Sequence, residues 1–351
     1  MSFWQKLQQP IIALSPMDGI TDHPFRFITK KYGQPAVVYT EFTSVEGVCH
    51  GAVQLLKDFL FDETQRPILA QVYGTTPEFF RQTTVVLCQL GFDGIDINMG
   101  CPAKNVAHSG AGAALIQTPK LAQDIIRATK VGVQDWLNGQ TCRDCPDITE
   151  EICREVERRQ LLLPQEYQQK RQLPVSVKTR IGYDKPVIEE WIPNLLEMGL
   201  DAIAIHGRTL KQQYGGLASW EEIGHAVQVA RKEAPETLIL GNGDIKSLAE
   251  AQEKIQAAGT NGALLGRITM GNPFVFLEEA EEKFADKKTL FKIAVEHAQL
   301  YEATYSQNER YNFLPMRKHL GWYVRDIPNA SQLRQQIYQS NSSQEFEELL
   351  N

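Results

Sequence analysis

A (β/α)8 barrel carrying a small all-helical second unit is the fold this sequence predicts. Two observations carry that reading. Short β-branched runs alternate with longer amphipathic stretches eight times over about 270 residues. After Asn272 no further strand pattern appears, and the periodicity turns helical to Leu350.

The strand candidates are residues 11–14, 37–40, 68–72, 94–97, 175–178, 202–205, 238–240 and 263–265. Most are apolar without strict alternation, as expected of parallel strands covered on both faces. The helical candidates between them include residues 78–90, 119–131, 187–198, 220–232 and 247–258. Gly91, Gly199 and Gly259 stand where C-caps are needed. An open doubly wound sheet is the alternative, and the repeat count favours the barrel. Two segments break the repeat. Residues 134–172 are charged and Gln-rich and read as an insertion. Residues 273–351 read as a helical domain, leaving 1–272 as the barrel domain.

Of 351 residues, 42% are hydrophobic, enough for a large core and too many for a disordered chain. No apolar run reaches about 18 residues, and the N-terminus lacks a signal-peptide pattern. Six cysteines in so long a chain do not make a disulfide scaffold, so reduced thiols and a cytoplasmic location are expected, with no membrane partner. The formal charge of -7 argues against wholesale coating by nucleic acid but leaves room for a local basic patch.

Barrel active sites lie at the C-terminal ends of the strands. The residues there are Ser15 to Gly19, Glu41, Gln71, Asn98 to Pro102, Lys178 to Arg180, His206 to Arg208, Asn242 to Asp244, and Gly266 with Arg267. Polar, cationic and glycine residues at all eight positions are more than core packing needs. Gly243 and Gly266 permit close backbone approach to a phosphate after the last two strands, and Arg267 adds a bidentate donor. Gln71 and Lys178 suit a polar heterocycle lying across the mouth. No acidic or histidine cluster at metal-ligand spacing stands on this rim. The set fits a phosphorylated cofactor better than a metal hydrolase.

Taken in order, these residues resemble the tRNA dihydrouridine synthase family. The motifs are Ser15-Pro16-Met17-Asp18-Gly19-Ile20-Thr21-Asp22 with Pro24-Phe25-Arg26, and Asn98-Met99-Gly100-Cys101-Pro102. Val177-Lys178-Thr179-Arg180, His206-Gly207-Arg208-Thr209, Gly241-Asn242-Gly243-Asp244 and Leu265-Gly266-Arg267 follow. Arg317-Lys318-His319-Leu320-Gly321-Trp322-Tyr323 resembles a motif of the family's bacterial C-terminal helical domain. The resemblance spans residues 10–335 and departs from the usual pattern in the insertion.

It implies an FMN-dependent enzyme that reduces a D-loop uridine of tRNA to 5,6-dihydrouridine with NADPH as electron source. A monomer is expected. Pro16, Met17 and Asp18 would sit beside the flavin. Gln71, Lys178 and His206 would contact its ring or tail, and Asn242, Gly243, Asp244, Gly266 and Arg267 would hold its phosphate. Asn98 would orient the uracil, and Arg180 joins it as a substrate-binding candidate. Hydride would reach uracil C6, and the Cys101 thiol would protonate C5 as a general acid. A different FMN barrel, such as a dihydroorotate dehydrogenase, and a tRNA-binding scaffold without turnover are the competing readings. The basic tail disfavours the first, and the intact Cys101 with its phosphate loops disfavours the second.

That tail runs from Arg310 to Arg325. Arg310, Arg317, Lys318 and Arg325 lie there without an intervening acid, interleaved with Tyr311, Phe313, Trp322 and Tyr323. Arg317 and Lys318 are the residues expected to meet tRNA phosphates. A helix with core aromatics and a solvated basic face is the plainer reading, and both can hold. Cys142-x-x-Cys145 followed by Cys153 in the insertion is the start of a zinc or iron–sulfur site without an evident fourth ligand. Structural zinc and solvated thiols are the two readings there. Cys49 and Cys88 read as packing residues.

Overall fold

The computed structural model describes residues 2–213, 215–308 and 311–350. Eight strands, all parallel, follow the chain: β1 (Ile11–Leu14), β2 (Val38–Ser44), β3 (Ile68–Tyr73), β4 (Gly94–Met99), β5 (Val175–Gly182), β6 (Ala202–Thr209), β7 (Leu238–Asn242) and β8 (Gly262–Leu265). From β2 to β8 each pairs with its sequence neighbour, and β1 pairs with β8. The sheet closes on itself where Ala13 bridges Val37 and Leu14 N–H donates to Val37 O at 2.9 Å. A closed barrel leaves no sheet edge.

Helices α1 (His23–Gly33), α2 (Val45–Cys49), α3 (Pro77–Gln89), α4 (Lys104–His108), α5 (Pro119–Leu137), α6 (Glu150–Gln160), α7 (Ile188–Leu196), α8 (Trp220–Glu233) and α9 (Leu248–Ala258) surround or extend the barrel. Then come α10 (Ala280–Ala285), α11 (Lys287–Tyr305), α12 (Leu314–Tyr323), α13 (Ala330–Ile337) and α14 (Ser343–Leu350). Local chemistry starts many of these. The carboxylate of Asp22 accepts the Phe25 N–H ahead of α1, and Ser219 and Ser247 cap α8 and α9. Gly259 ends α9 in the left-handed conformation, with φ +70°.

Outside the barrel, the apolar faces of strands and helices form the main core. A smaller cluster that includes Ile11, Ala13, Tyr39, Leu69, Ala204, Leu240 and Leu264 packs with Trp4 of the N-terminal segment. A third unites the C-terminal helices with Ile28 of α1, so the helical segment is seated on the barrel's first helix.

Most strands run further than expected. Those beginning at Val175 and Ala202 continue to Gly182 and Thr209. The polar residues read as following the strands are therefore largely on them. The helix expected over 119–131 continues to Leu137, because Val133 and Trp136 prolong its buried face. The extra segment thus begins after Leu137, four residues later than its charge pattern indicates. It wraps α6 against α3, with Gln89 and Gln160 hydrogen-bonded at 2.9 Å. Among the described residues no helix is long and apolar enough to cross a membrane.

Candidate functional site

Alternate residues of a strand share a face. On β6 that face carries Ala202 and Ala204, then His206 and Arg208. β3 follows Leu69 with Gln71, and β7 follows Leu240 with Asn242. Each strand changes from apolar to polar along its length, so the interior is a packed core at one end and a polar cup at the other. A cavity of about 1150 Å³ opens from that cup, at or above the size of sites that enclose a small molecule, about 300–1,000 Å³.

Of the expected site residues, Pro16, Met17, Asp18, Asn98, Cys101, Lys178, Arg180, His206, Asn242, Gly243, Asp244, Gly266 and Arg267 line this cavity. Gln71 lies behind its wall, fully buried, donating to Asp96 Oδ2 at 2.7 Å and accepting from Asn98 Nδ2 at 2.9 Å. Glu41 is not among the lining residues either. Burial and the neighbouring carboxylates of Asp22 and Asp58 push it up to about 8.

Cys101 rides on the loop after β4. Asn98 Oδ1 accepts the Gly100 and Cys101 N–H groups at 3.1 and 2.8 Å, and Ala113 N–H donates to Cys101 O at 3.2 Å. Gly112, at φ +60°, passes so close that a Cβ would stand 2.9 Å from Cys101 O, so only glycine fits. Burial pushes the Cys101 thiol up from its ordinary value, and Asp18 pushes the same way. The Ala103 N–H, Arg180 and Lys178 oppose this without reversing it. The group is a protonated thiol at neutral pH, suited to donating a proton rather than attacking as a thiolate.

Cations surround it. Burial first, then Arg180, brings Lys178 down to about 8. Arg180 donates from Nε to Gly100 O at 2.6 Å and so braces the same loop. His206 is 9% exposed, and burial together with Arg180, Lys178, Arg208 and Arg267 brings it down to about 2. It is a neutral imidazole at any working pH.

At the β7–β8 end, Asp244 is the organiser. Its Oδ2 accepts from Arg208 Nη2 at 2.6 Å and from Ala218 N–H at 2.8 Å, and Arg267 Nη2 stands 3.4 Å from Oδ1. Burial opposes its ionisation, but the Ala218 and Arg208 contacts prevail and hold Asp244 below the usual carboxylate range. A carboxylate repels a phosphate, so its part here is to aim two guanidinium groups. Gly243, at φ +119°, leaves no room for a side chain: a Cβ would meet Ala218 Cβ at 2.7 Å and the His206 ring at 2.9 Å. Asn242 Nδ2 ties β7 to β8 through Leu264 O at 2.9 Å.

Arg208 is the functional residue that sequence reading left without a role. It is 3% exposed, lines the cavity, and its Nη1 is buried with no hydrogen-bond partner among the described residues. An orphaned guanidinium nitrogen beside Arg267 and the Gly243 and Gly266 backbone fits an anionic phosphate. The signal was available: a charge two places after His206 on an otherwise apolar strand belongs to the same face.

The helical segment reaches this mouth. Lys318 of α12 donates its ammonium to Gly19 O on the loop after β1, beside Asp18. Arg325 lines the cavity. Arg317 instead holds Ser340 O and Asn341 Oδ1, both at 2.7 Å, away from Lys318's contact. Phe313, Leu320 and Tyr323 pack inward, as the plainer reading expects. Arg310 lies outside the described residues.

The insertion thiols are not solvated. Cys142, Cys145 and Cys153 are buried, and Cys145 Sγ lies 3.6 Å from Thr141 O. Burial pushes Cys145 up to about 12. Among the described residues no three His, Cys, Asp or Glu side chains are grouped to hold a metal ion. These thiols join the core between α3 and α6. Cys49 and Cys88 are buried packing residues too.

Comparison with known proteins agrees with the geometry. The family model for dihydrouridine synthase matches residues 12–139 and 161–351, leaving out most of the insertion. A probable tRNA-dihydrouridine synthase of Staphylococcus epidermidis is 34% identical over 99% of this chain and 95% of its own length. A probable tRNA-dihydrouridine synthase 2 of Bacillus subtilis is 33% identical over 99% and 95%. Among solved structures, a DHODH from Eimeria tenella, crystallised with ferulenol, aligns at TM-score 0.50 and 13% identity. It covers 80% of this chain and 81% of its own, a likeness of fold alone. With the family model covering most of both the barrel and the helical segment, and relatives above 30% identity matching end to end, this chain belongs to the dihydrouridine synthase family.

Proposed function

We propose that this chain is an FMN-dependent tRNA-dihydrouridine synthase that saturates the C5=C6 bond of a D-loop uridine, with NADPH as reductant. The observation that carries the reading is the placing of Cys101 in a cavity walled by Lys178, Arg180, Arg208 and Arg267, where burial pushes its thiol up. Arg208, Arg267 and the Gly243 and Gly266 backbone are suited to the FMN phosphate. Pro16, Met17, Lys178 and neutral His206 would border the ring. FMN held by these residues would supply the hydride chemistry needed at C6 of the base. Cys101 gives its proton to C5, and Asn98 and Arg180 hold the base and the thiol loop in register. Lys178 stabilises negative charge that develops on the ring or the pyrimidine.

Residues 1–272 would thus form the catalytic domain and 273–351 a tRNA-binding domain. Arg317, Lys318 and Arg325 would meet backbone phosphates, with the chain working as a cytoplasmic monomer. Incubation with unmodified tRNA, FMN and NADPH, followed by detection of dihydrouridine, tests the whole reading. Product must depend on tRNA, on NADPH and on flavin, bound or added, and its absence with flavin-loaded protein refutes the reading.

Arg267→Ala is expected to weaken FMN binding about tenfold to a hundredfold, the equivalent of roughly 1.5–3 kcal/mol for a charge-assisted contact. Flavin absorbance per chain after gel filtration measures it, and full retention would place the phosphate elsewhere. For the tail, replacing Arg317 and Lys318 together by Ala should flatten the slope of log K for tRNA against log salt by up to about 1.4–1.8. Arg325→Ala should flatten it by about 0.7–0.9. Unaltered slopes would move the tRNA footprint to another surface.

A further inference from the structure

Behind the cavity wall runs a chain of buried polar groups. β3, β4 and β5 place Gln71, Asp96 and Ser176 in one cross-strand row, since Gln71 pairs with Asp96 and Asp96 with Ser176. Asn98 stands two residues further along β4, on the same face. All four are buried. Asp96 accepts from Ser176 Oγ at 2.5 Å and from Gln71 Nε2 at 2.7 Å. Gln71 Oε1 accepts from Asn98 Nδ2 at 2.9 Å, and Asn98 Oδ1 accepts the Gly100 and Cys101 amides.

This chain has one direction. The Gly100 and Cys101 N–H groups can only donate, so Asn98 must turn its oxygen to them. Its nitrogen then faces Gln71, which must answer with its own oxygen. Gln71's nitrogen is left facing Asp96, where an ionised carboxylate can only accept. Reversing either amide sets donor against donor or acceptor against acceptor at buried positions, at a cost above one ordinary hydrogen bond.

We propose that Asp96 is the positioning residue of this site: as the acceptor at the end opposite the two backbone amides, it locks Gln71 and Asn98 in the one direction that both ends allow and thereby holds the loop that carries Cys101. A second consequence concerns selectivity. Both acceptor sites of Asn98 Oδ1 are taken, and one of its two amide hydrogens goes to Gln71. The side chain has one hydrogen left, so it offers the cavity a donor and no acceptor. A donor there welcomes a pyrimidine carbonyl and disfavours an exocyclic amine at the same place. Asp96 touches neither substrate nor cavity. Its role for catalysis rests on Cys101 being the proton donor, while its effect on the loop does not.

Cys101 is the one cysteine of the six that is not buried, so its alkylation by iodoacetamide reports the loop directly. The rate is followed by mass spectrometry of the Cys101 peptide at fixed pH. In Asp96→Leu, Gln71 loses its acceptor, and alkylation is expected to speed up about tenfold. Asp96→Asn keeps an oxygen for Gln71 while its nitrogen faces the Ser176 hydroxyl, which can accept. It should stay within about twofold of the native rate. Gln71→Met breaks the next link and should match Asp96→Leu. Should Asp96→Leu fail to melt cooperatively, Gln71→Met decides by the same measure. A folded broken-chain variant that alkylates at the native rate overturns the proposal, as does Asp96→Asn alkylating as fast as Asp96→Leu. If the native chain made no dihydrouridine, the proposed activity would fall while the alkylation contrast stood.

Discussion

Cys101→Ala is expected to abolish most dihydrouridine formation while leaving the protein folded and flavin-loaded. Loss of a general acid costs about 10²–10⁴-fold in rate. The loop itself should survive, because Asn98 and Ala113 hold the backbone of residue 101 and its neighbour rather than the thiol. Reduction of bound flavin by NADPH should proceed at the native rate, since that half-reaction needs no proton from Cys101. Two measurements therefore separate the roles. Stopped-flow bleaching of the flavin should be unchanged, and product per tRNA should collapse. Equal loss of both would make Cys101 part of the cofactor site instead.

Asp244→Ala is expected to be the most damaging single change at the phosphate end. It strips Arg208, which is 3% exposed, of its ion-pair partner and leaves a buried guanidinium uncompensated. Breaking such a pair costs about 3 kcal/mol, or roughly 4 °C in Tm for a chain of this size. FMN retention should fall with it, because Arg208 and Arg267 lose their common anchor. Asp244→Asn, which keeps an acceptor for the Ala218 N–H, should lose less of both. The effect has a pH signature. Asp244 is held below its ordinary 3.8 in the fold, so its stabilisation is complete above that value and is lost as pH falls through the folded-state value. The Tm gap between native and variant should be full at pH 7 and close in acid. A gap that stays constant through acid would mean that packing, not the ion pair, accounts for it.

Sequence alone determined the architecture and most of the cavity lining. Eight short apolar runs, each followed by an amphipathic one, admit few folds, because parallel strands need long crossovers and a closed barrel removes their edges. Positions such as Lys178, His206 and Gly243 were legible because a barrel's strand ends converge. The close approach of Gly112 and the unpartnered nitrogen of Arg208 were not. A glycine that must pass 2.9 Å from Cys101 O, and an arginine nitrogen orphaned beside Arg267, acquire meaning only when distant segments meet. The cysteines of the insertion show the same limit. A Cys-x-x-Cys spacing fixes how far apart two thiols are along the chain, but their packing against α3 decides that they serve the core. Nor could spacing say which way Gln71 and Asn98 face. That depends on Asp96 at one end and two backbone amides at the other, brought together by strand register. Local pattern carries periodicity and turn chemistry. Hydrogen-bond direction, burial and charge pairing are properties of neighbours that only the closed barrel supplies.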